Sequence, residues 1–142
     1  MIKGAHTCVC FSEAPIGKLS HLLAVNDEGV FKYQPYGILV DKAWLFALGG
    51  RPVIYGPDYD YDHLPSDMKY RHVRFWLGDR YAIDHTWERE WRIKIDMLPI
   101  NPADVTVVVP DRAAKDAFVK HFATEHWHYI VLSDLGVKVD AL

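Results

Sequence analysis

The fold of this chain depends most on the stretch WEREWRIKI, residues 87–95. Bulky apolar residues alternate there with charged ones at a period of two, which is typical of a β-strand. Residues i and i+2 of a strand point to the same face. We therefore expect Glu88 and Glu90 to lie side by side, with Arg92 and Lys94 continuing their row. The other face would pack on the core and carries Trp87, Arg89, Trp91, Ile93 and Ile95.

Two carboxylates fixed on one strand would make a rigid acidic site. The alternative is a solvated strand face on which the glutamates pair with Arg92 and Lys94, because rows of ion pairs are common on protein surfaces. A third interpretation is a nuclease in which Glu88, Glu90 and the aspartates of residues 58–67 bind Mg²⁺. The residues alone leave all three open.

Length and composition are those of one folded domain. The chain has 142 residues, of which 50% are hydrophobic and 25% charged, with a formal net charge of −3. We expect a single domain over residues 1–142, and the charge argues against a protein that coats nucleic acid. No apolar run approaches the ~20 residues of a membrane span and no signal peptide is evident, so we expect no membrane partner and a cytoplasmic location. Cys8 and Cys10 lack the C-x-x-C spacing of zinc sites, and no metal site is predicted.

The order of elements is typical of an α+β fold. Strands are predicted at residues 6–11, 36–40, 51–55, 87–95, 105–109 and 129–132, and helices at 15–25, 42–48, 68–77 and 112–124. Gly49-Gly50 favours a helix end before it, and Asp111 is a candidate cap for the last helix. We expect a small mixed or antiparallel sheet with short helices packed on it.

Several segments, taken in order, carry a resemblance to a known group of proteins. They are CFSEAP at residues 10–15, YGI at 36–38, Lys42, GGRPVIY at 49–55 and EREWR at 88–92. Over roughly residues 6–110 the chain resembles bacterial and phage families with an abortive-infection or toxin-type ADP-ribosyltransferase-like domain. It is more distantly similar to DNA-modifying ADP-ribosyltransferase toxins. The resemblance implies a split, strongly bent β-sheet that grips NAD in a cleft.

The activity that this resemblance implies is cleavage of the nicotinamide–ribose bond of NAD. ADP-ribose would pass to a macromolecular acceptor, protein or nucleic acid, or to water, in conflict between phage and bacterium. In the Glu-x-Glu motif of the superfamily the second glutamate is catalytic and the first positions the acceptor. Glu88-Arg89-Glu90 fits this motif, so Glu90 is the implied catalytic carboxylate and Glu88 the acceptor-facing one.

Elementary chemistry agrees with these roles. Breaking an N-glycosidic bond passes through an oxocarbenium-like ribose, as in glycoside hydrolysis. A fixed carboxylate can stabilise that growing positive charge, and a second one can take a proton from the incoming nucleophile.

Four further residues are candidates for holding NAD. Arg51 could pair with the pyrophosphate as a fork donor, with a sheet-edge ion pair as its alternative role. The ring of Tyr55 could stack on nicotinamide or adenine. Ser12 could hydrogen-bond the nicotinamide ribose, or cap a helix that begins near Pro15. Related full-length proteins hold the nicotinamide side with an Arg or His from an N-terminal segment; we expect this chain to lack that segment, with His6 as the candidate substitute.

A non-catalytic role on the same fold is the competing interpretation. Such a module would bind a nucleotide or a partner protein, and would block or neutralise a defence component. A partner protein or a second copy of the chain remains open as a binding partner in either case.

Overall fold

Short strands and short helices make up the part of the chain that the computed structural model describes, residues 2–14 and 33–137. The strands are β1 (Val9–Ser12), β2 (Gly37–Val40), β3 (Arg51–Pro52), β4 (Ile54–Gly56), β5 (His72–Arg74), β6 (Trp76–Gly78), β7 (Tyr81–Ile83), β8 (Glu90–Ile93), β9 (Val105–Val109) and β10 (His128–Val131). The helices are α1 (Lys42–Ala47), α2 (Asp60–His63) and α3 (Arg112–Phe122), with 3₁₀ helices at Lys69–Arg71, Thr86–Glu88 and Leu132–Leu135. This confirms the predicted α+β class; where one small sheet was predicted, the described residues form four small sheets. The helix predicted at residues 15–25 lies outside the described residues.

The chain divides into two compact units. One contains Met1–Ile16 and Leu45–Leu98, and the other Gly17–Trp44 and Pro99–Leu142. The first unit has the antiparallel sheet β1-β8-β3, the parallel pair β4-β5 and the antiparallel hairpin β6-β7. The second has the mixed sheet β10-β9-β2. A single domain over residues 1–142 stays a prediction. Within the described residues, no helix is long and apolar enough to cross a bilayer.

The second unit is built on a β-α-β crossover. Strands β9 and β10 run parallel and are joined by α3. Alternate residues of β9 are buried, and Val107, Val109 and Val131 form the core against which the helix packs. Asp111 caps α3 as predicted, because its Oδ1 accepts a hydrogen bond from the Ala114 N–H at 2.7 Å. The predicted strands at 105–109 and 129–132 are confirmed within one residue.

In the first unit the predicted helix stop is confirmed. Gly49 has φ +99°, a conformation that glycine adopts at little cost, and its N–H donates to the Phe46 carbonyl. The chain then enters β3. The predicted strand at 51–55 is divided at Val53 into β3 and β4. The Val53 N–H donates to the Glu90 carbonyl. β3 pairs with β8, whereas β4 pairs with β5.

The helix predicted at residues 68–77 is wrong. A 3₁₀ turn at Lys69–Arg71 leads there into β5 and then β6. His72 and Val73 are buried where β5 lies parallel to β4, and the His72 Nε2 is 3.1 Å from the Pro57 carbonyl oxygen. Long-range pairing therefore overrides the helical periodicity of this segment.

Candidate functional site

The segment that carries the two glutamates begins as a turn and becomes a strand only at Glu90. Thr86–Glu88 forms a 3₁₀ helix, and Arg89 adopts the left-handed conformation with φ 47°. The Asp84 carboxylate starts this turn by accepting from the Thr86 N–H at 2.9 Å and from the Thr86 hydroxyl at 2.6 Å. The expectation that Glu88 and Glu90 lie side by side on one strand is therefore wrong, since the alternation is broken at Arg89.

The kink also reverses the expected position of Arg89. Predicted to face the core, it is exposed, and its Nη2 donates to Glu13 Oε1 at 2.9 Å. The other oxygen of Glu13 accepts from Trp91 Nε1 at 2.9 Å. Glu13 thus holds the residues on both sides of Glu90, a role that the sequence analysis did not assign to it.

Ser12, the last residue of β1, is hydrogen-bonded to the 3₁₀ turn at Thr86–Glu88. Its hydroxyl donates to the Glu88 carbonyl at 2.6 Å and accepts from the Ala14 N–H at 3.2 Å. The Glu88 side chain is largely enclosed, with 14% of its surface exposed and Oε1 4.0 Å from His85 Nδ1. The helix that Ser12 would alternatively cap lies outside the described residues.

One face of the sheet β1-β8-β3 collects polar side chains. Directly opposed residues of neighbouring antiparallel strands point to the same side. Ser12 opposes Glu90, Cys10 opposes Arg92, and Arg51 also opposes Arg92. The sheet therefore brings together three predicted site residues, Ser12, Glu90 and Arg51, from segments far apart in the chain.

The centre of this face is an ion pair between Glu90 and Arg92. Arg92 Nε donates to Glu90 Oε1 at 2.8 Å and Nη2 to Oε2 at 3.3 Å. Its Nη1 donates to the carbonyls of Tyr70 at 2.7 Å and His72 at 3.0 Å. Arg92 is 2% exposed, whereas the Glu90 side chain keeps 15% of its surface exposed. The predicted row from Glu90 to Arg92 is confirmed, and the two side chains are paired.

Tyr55 fixes the start of β8. Its hydroxyl donates to the His85 carbonyl and accepts from the Glu90 N–H, both at 3.2 Å. Burial raises the pKa of Tyr55, and the neighbouring carboxylates of Glu90 and Glu88 act in the same direction. The Tyr55 hydroxyl is thus engaged in hydrogen bonds within the chain, one of them with the backbone of the predicted catalytic residue, Glu90.

Arg51 contacts the C-terminal end of α1. Its Nη1 donates to the Phe46 carbonyl at 2.8 Å and the Gly50 carbonyl at 2.7 Å, and its guanidinium carbon lies 3.9 Å from the centre of the Phe46 ring. This arrangement combines a hydrogen bond to one carbonyl of the last helical turn, that of Phe46, with a cation–π contact. His6 precedes β1, and no hydrogen bond between described residues joins it to Glu90 or Tyr55.

Cys10 is a member of the site that the sequence analysis missed. Cys10 is an exposed residue, yet partial burial of its thiol raises the pKa of Cys10 to about 11, and a hydrogen bond to the Glu90 carboxylate adds to the effect. The signal in the sequence was its spacing of two from Ser12, which places both on one face of β1. No group of three His, Cys, Asp or Glu side chains within residues 2–14 and 33–137 is placed to hold a metal ion.

Comparison with known proteins gives no match. No family model matches the chain, and neither a curated protein nor a solved structure matches it significantly. The interpretation of the site therefore depends on its geometry and on the sequence pattern.

We expect Arg92→Leu to lower the free energy of unfolding by about 3–5 kcal/mol, because it leaves a mostly buried carboxylate without its cation. The carbonyls of Tyr70 and His72 lose their donor as well. Urea denaturation measures the change. The matched control is Arg112→Leu, which removes an arginine that pairs with Asp134 at 3.1 Å but is exposed, and which should change stability little. Equal effects of the two substitutions would contradict the central role of Arg92.

We expect the Cys10 thiol to react slowly with iodoacetamide at pH 8. A pKa of about 11 instead of the ordinary 9.0 makes the reactive thiolate about 100-fold scarcer. Measured in a Cys8→Ser background, Glu90→Gln should speed alkylation because it removes the carboxylate that raises this pKa, while burial keeps the rate below that of a free thiol. A wild-type rate equal to that of a free thiol would show that Cys10 is not held against Glu90.

Proposed function

We propose that this chain cleaves the nicotinamide–ribose bond of NAD, as a mono-ADP-ribosyltransferase or an NAD glycohydrolase, with Glu90 as the catalytic carboxylate. An ADP-ribosyltransferase-like fold and a role in conflict between phage and bacterium are part of this proposal. The observation that carries it is the placement of Glu90: a carboxylate at the first residue of β8, with 15% of its side-chain surface exposed, held in one orientation by two contacts with Arg92. The order of the sequence segments and the Glu88-Arg89-Glu90 motif support the same interpretation.

The fixed orientation of Glu90 is what the chemistry requires. As nicotinamide leaves, positive charge grows on the ribose, and a carboxylate already in position stabilises it without reorganisation. A carboxylate has about four lone-pair positions, so the two contacts with Arg92 and the hydrogen bond with Cys10 leave one for a ribose hydroxyl. Oε2 makes the longer of the two contacts with Arg92, at 3.3 Å. We assign the remaining lone-pair position of the Glu90 carboxylate to the substrate.

The different positions of the two glutamates support different roles for them. Glu88 ends the 3₁₀ turn, while Glu90 begins the strand, with the left-handed Arg89 between them. Glu88 is thus not forced onto the face that Glu90 shares with Arg92. A carboxylate at that place suits deprotonation of an acceptor that approaches from the turn, whether protein, nucleic acid or water.

The remaining predicted NAD contacts keep a narrower role in the proposal. The Tyr55 and Ser12 hydroxyls are used by backbone groups, so the Tyr55 ring is the part left for stacking on a base. The two hydrogen bonds of Arg51 both use Nη1, which leaves Nε and Nη2 for the pyrophosphate. His6 stays the candidate for the nicotinamide side.

A non-catalytic module that binds a nucleotide or a partner protein is the second candidate. A specific observation favours it: the polar atoms of Glu90, Ser12 and Tyr55 find partners within the chain itself. Such a site is complete without substrate, as in a purely structural ion-pair cluster. This candidate predicts binding without NAD turnover.

Nicotinamide release from NAD by the purified chain tests the proposal. We expect release by the wild type and a loss of ~100-fold or more in Glu90→Gln, since removal of one preorganised group costs about that much. The amide oxygen of Gln can still accept from Arg92, and thermal melting checks that the variant folds. Asp134→Asn is the matched control, because it removes a carboxylate paired with Arg112 outside the site and should leave the rate unchanged.

The same assay separates the candidates. With radiolabelled NAD and cell lysate, Glu88→Gln should keep nicotinamide release but lose label on macromolecules if Glu88 faces the acceptor. No release by the wild type, with or without lysate, would contradict the enzymatic proposal and leave the binding module. Release that is equal in wild type and Glu90→Gln would remove Glu90 from the chemistry.

A further inference from the structure

Glu13 contacts the residues on both sides of Glu90. One oxygen of the Glu13 carboxylate accepts a hydrogen bond from Arg89 Nη2 and the other accepts from Trp91 Nε1, each at 2.9 Å. The Glu13 N–H also donates to the Arg89 carbonyl at 3.3 Å. Three contacts from one residue therefore hold the two neighbours of the proposed catalytic carboxylate.

The contact with Trp91 lies behind the Glu90 carboxylate. Within β8, Glu90 and Arg92 point to one face and Trp91 points to the other. The hydrogen bond to the Trp91 indole thus brings Glu13 to β8 on the side away from the Glu90–Arg92 ion pair. A substrate that meets the front of Glu90 has no need to touch Glu13. An effect of Glu13 on the reaction would pass through the position of β8.

The residue that leads into β8 makes this position sensitive to Glu13. Arg89 is left-handed, with φ 47°, a conformation that a residue with a side chain rarely adopts. The Tyr55 hydroxyl and the Val53 N–H bind the peptide groups of Glu90 itself, at 3.2 and 3.0 Å, whereas Glu13 holds the turn before it. A return of Arg89 to an ordinary conformation would change the direction in which the chain enters β8, and with it the position of the Glu90 carboxylate.

The two donors that Glu13 binds require a carboxylate at this position. Arg89 Nη2 and Trp91 Nε1 can only donate hydrogen bonds. A carboxylate offers one oxygen to each of them, whereas the amide of glutamine offers one oxygen and one NH₂ group. Glu13→Gln therefore breaks one of the two contacts and sets a donor against a donor, with little change in side-chain size.

We infer that Glu13 is a positioning residue for the proposed reaction, which acts through Arg89 and Trp91 to hold the Glu90 carboxylate where the ribose meets it. The inference rests on the proposed function, since it concerns the same carboxylate. It adds to the Glu-x-Glu motif a residue that is 76 positions from Arg89 in the sequence. A displacement of about 1 Å at a reacting group can cost roughly 100-fold in rate, so positioning of this kind is measurable.

Nicotinamide release by Glu13→Gln tests this role. We expect kcat to fall about 10-fold or more, because the carboxylate of Glu90 is displaced. The KM for NAD should stay within about twofold of the wild-type value, because Glu13 does not bind the substrate. Asp134→Asn, which removes the carboxylate paired with Arg112 at 3.1 Å, should leave both constants unchanged. Thermal melting checks that each variant folds.

A double substitution separates positioning from a general loss of structure. Glu90→Gln already removes the group that Glu13 positions, so the double variant Glu13→Gln, Glu90→Gln should be no slower than Glu90→Gln alone. Equal fold-losses from Glu13→Gln in the two backgrounds would mean that Glu13 acts independently of Glu90, and would overturn the inference. A wild-type kcat in Glu13→Gln would overturn it as well.

Alkylation of Cys10 reports the position of Glu90 without NAD. In the Cys8→Ser background at pH 8, Glu13→Gln should speed the reaction with iodoacetamide toward the rate of Glu90→Gln, because a displaced carboxylate no longer accepts from the thiol. Faster alkylation, together with no nicotinamide release by the wild type, would contradict the proposed reaction while supporting the positioning of Glu90 by Glu13. An unchanged alkylation rate would overturn the positioning role, whatever the NAD assay gives.

Discussion

Arg92 is the constraint around which the first unit is arranged. Burying an arginine costs several kcal/mol unless its charge and its donors are satisfied. Here the cost is offset by a carboxylate on the same strand and by two backbone carbonyls, those of Tyr70 and His72. The guanidinium therefore connects β8 to the 3₁₀ turn before β5 and to the first residue of β5. An arrangement that keeps Arg92 buried but separates these segments leaves its Nη1 without the two carbonyl acceptors.

The same contact gives Glu90 two properties that a reactive carboxylate needs. Its orientation is set by a planar, bidentate partner, and its position is set by Tyr55, which binds its backbone N–H. A structural ion pair would have these properties as well. The exposed fraction does not separate the two roles, because the Glu90 side chain keeps 15% of its surface exposed and the Glu88 side chain 14%.

The left-handed residue before the strand determines how the two glutamates are used. A left-handed conformation costs about 1–2 kcal/mol for a residue such as Arg89. It is stabilised by the ion pair of Arg89 with Glu13 and by the hydrogen bond from Ser12 to the Glu88 carbonyl. These contacts come from β1 and the residue that follows it. The first strand of the sheet thus controls a turn that is distant in sequence.

Alternation and capping residues predicted much of the secondary structure. The strands at β2, β9 and β10, the helix stop at Gly49 and the Asp111 cap follow from local rules, because the interacting groups lie within a few residues of one another. The same rules predicted that Glu90 and Arg92 share a face. They failed at residues 68–77 and at the start of β8, where the partners are remote.

What the sequence by itself determined is therefore the set of local elements and the polar row of β8. The tertiary structure decided the rest: which arginine is buried, where the strand begins, and which polar atoms remain for a ligand. The reason is sequence separation, since the carbonyl partners of Arg92 are 20 and 22 residues away and Ser12 is 76 residues from Glu88. No local periodicity encodes contacts at that distance. The pairing of β1 with β8 creates the Ser12 contact, and the packing of the 3₁₀ turn and β5 against β8 creates those of Arg92.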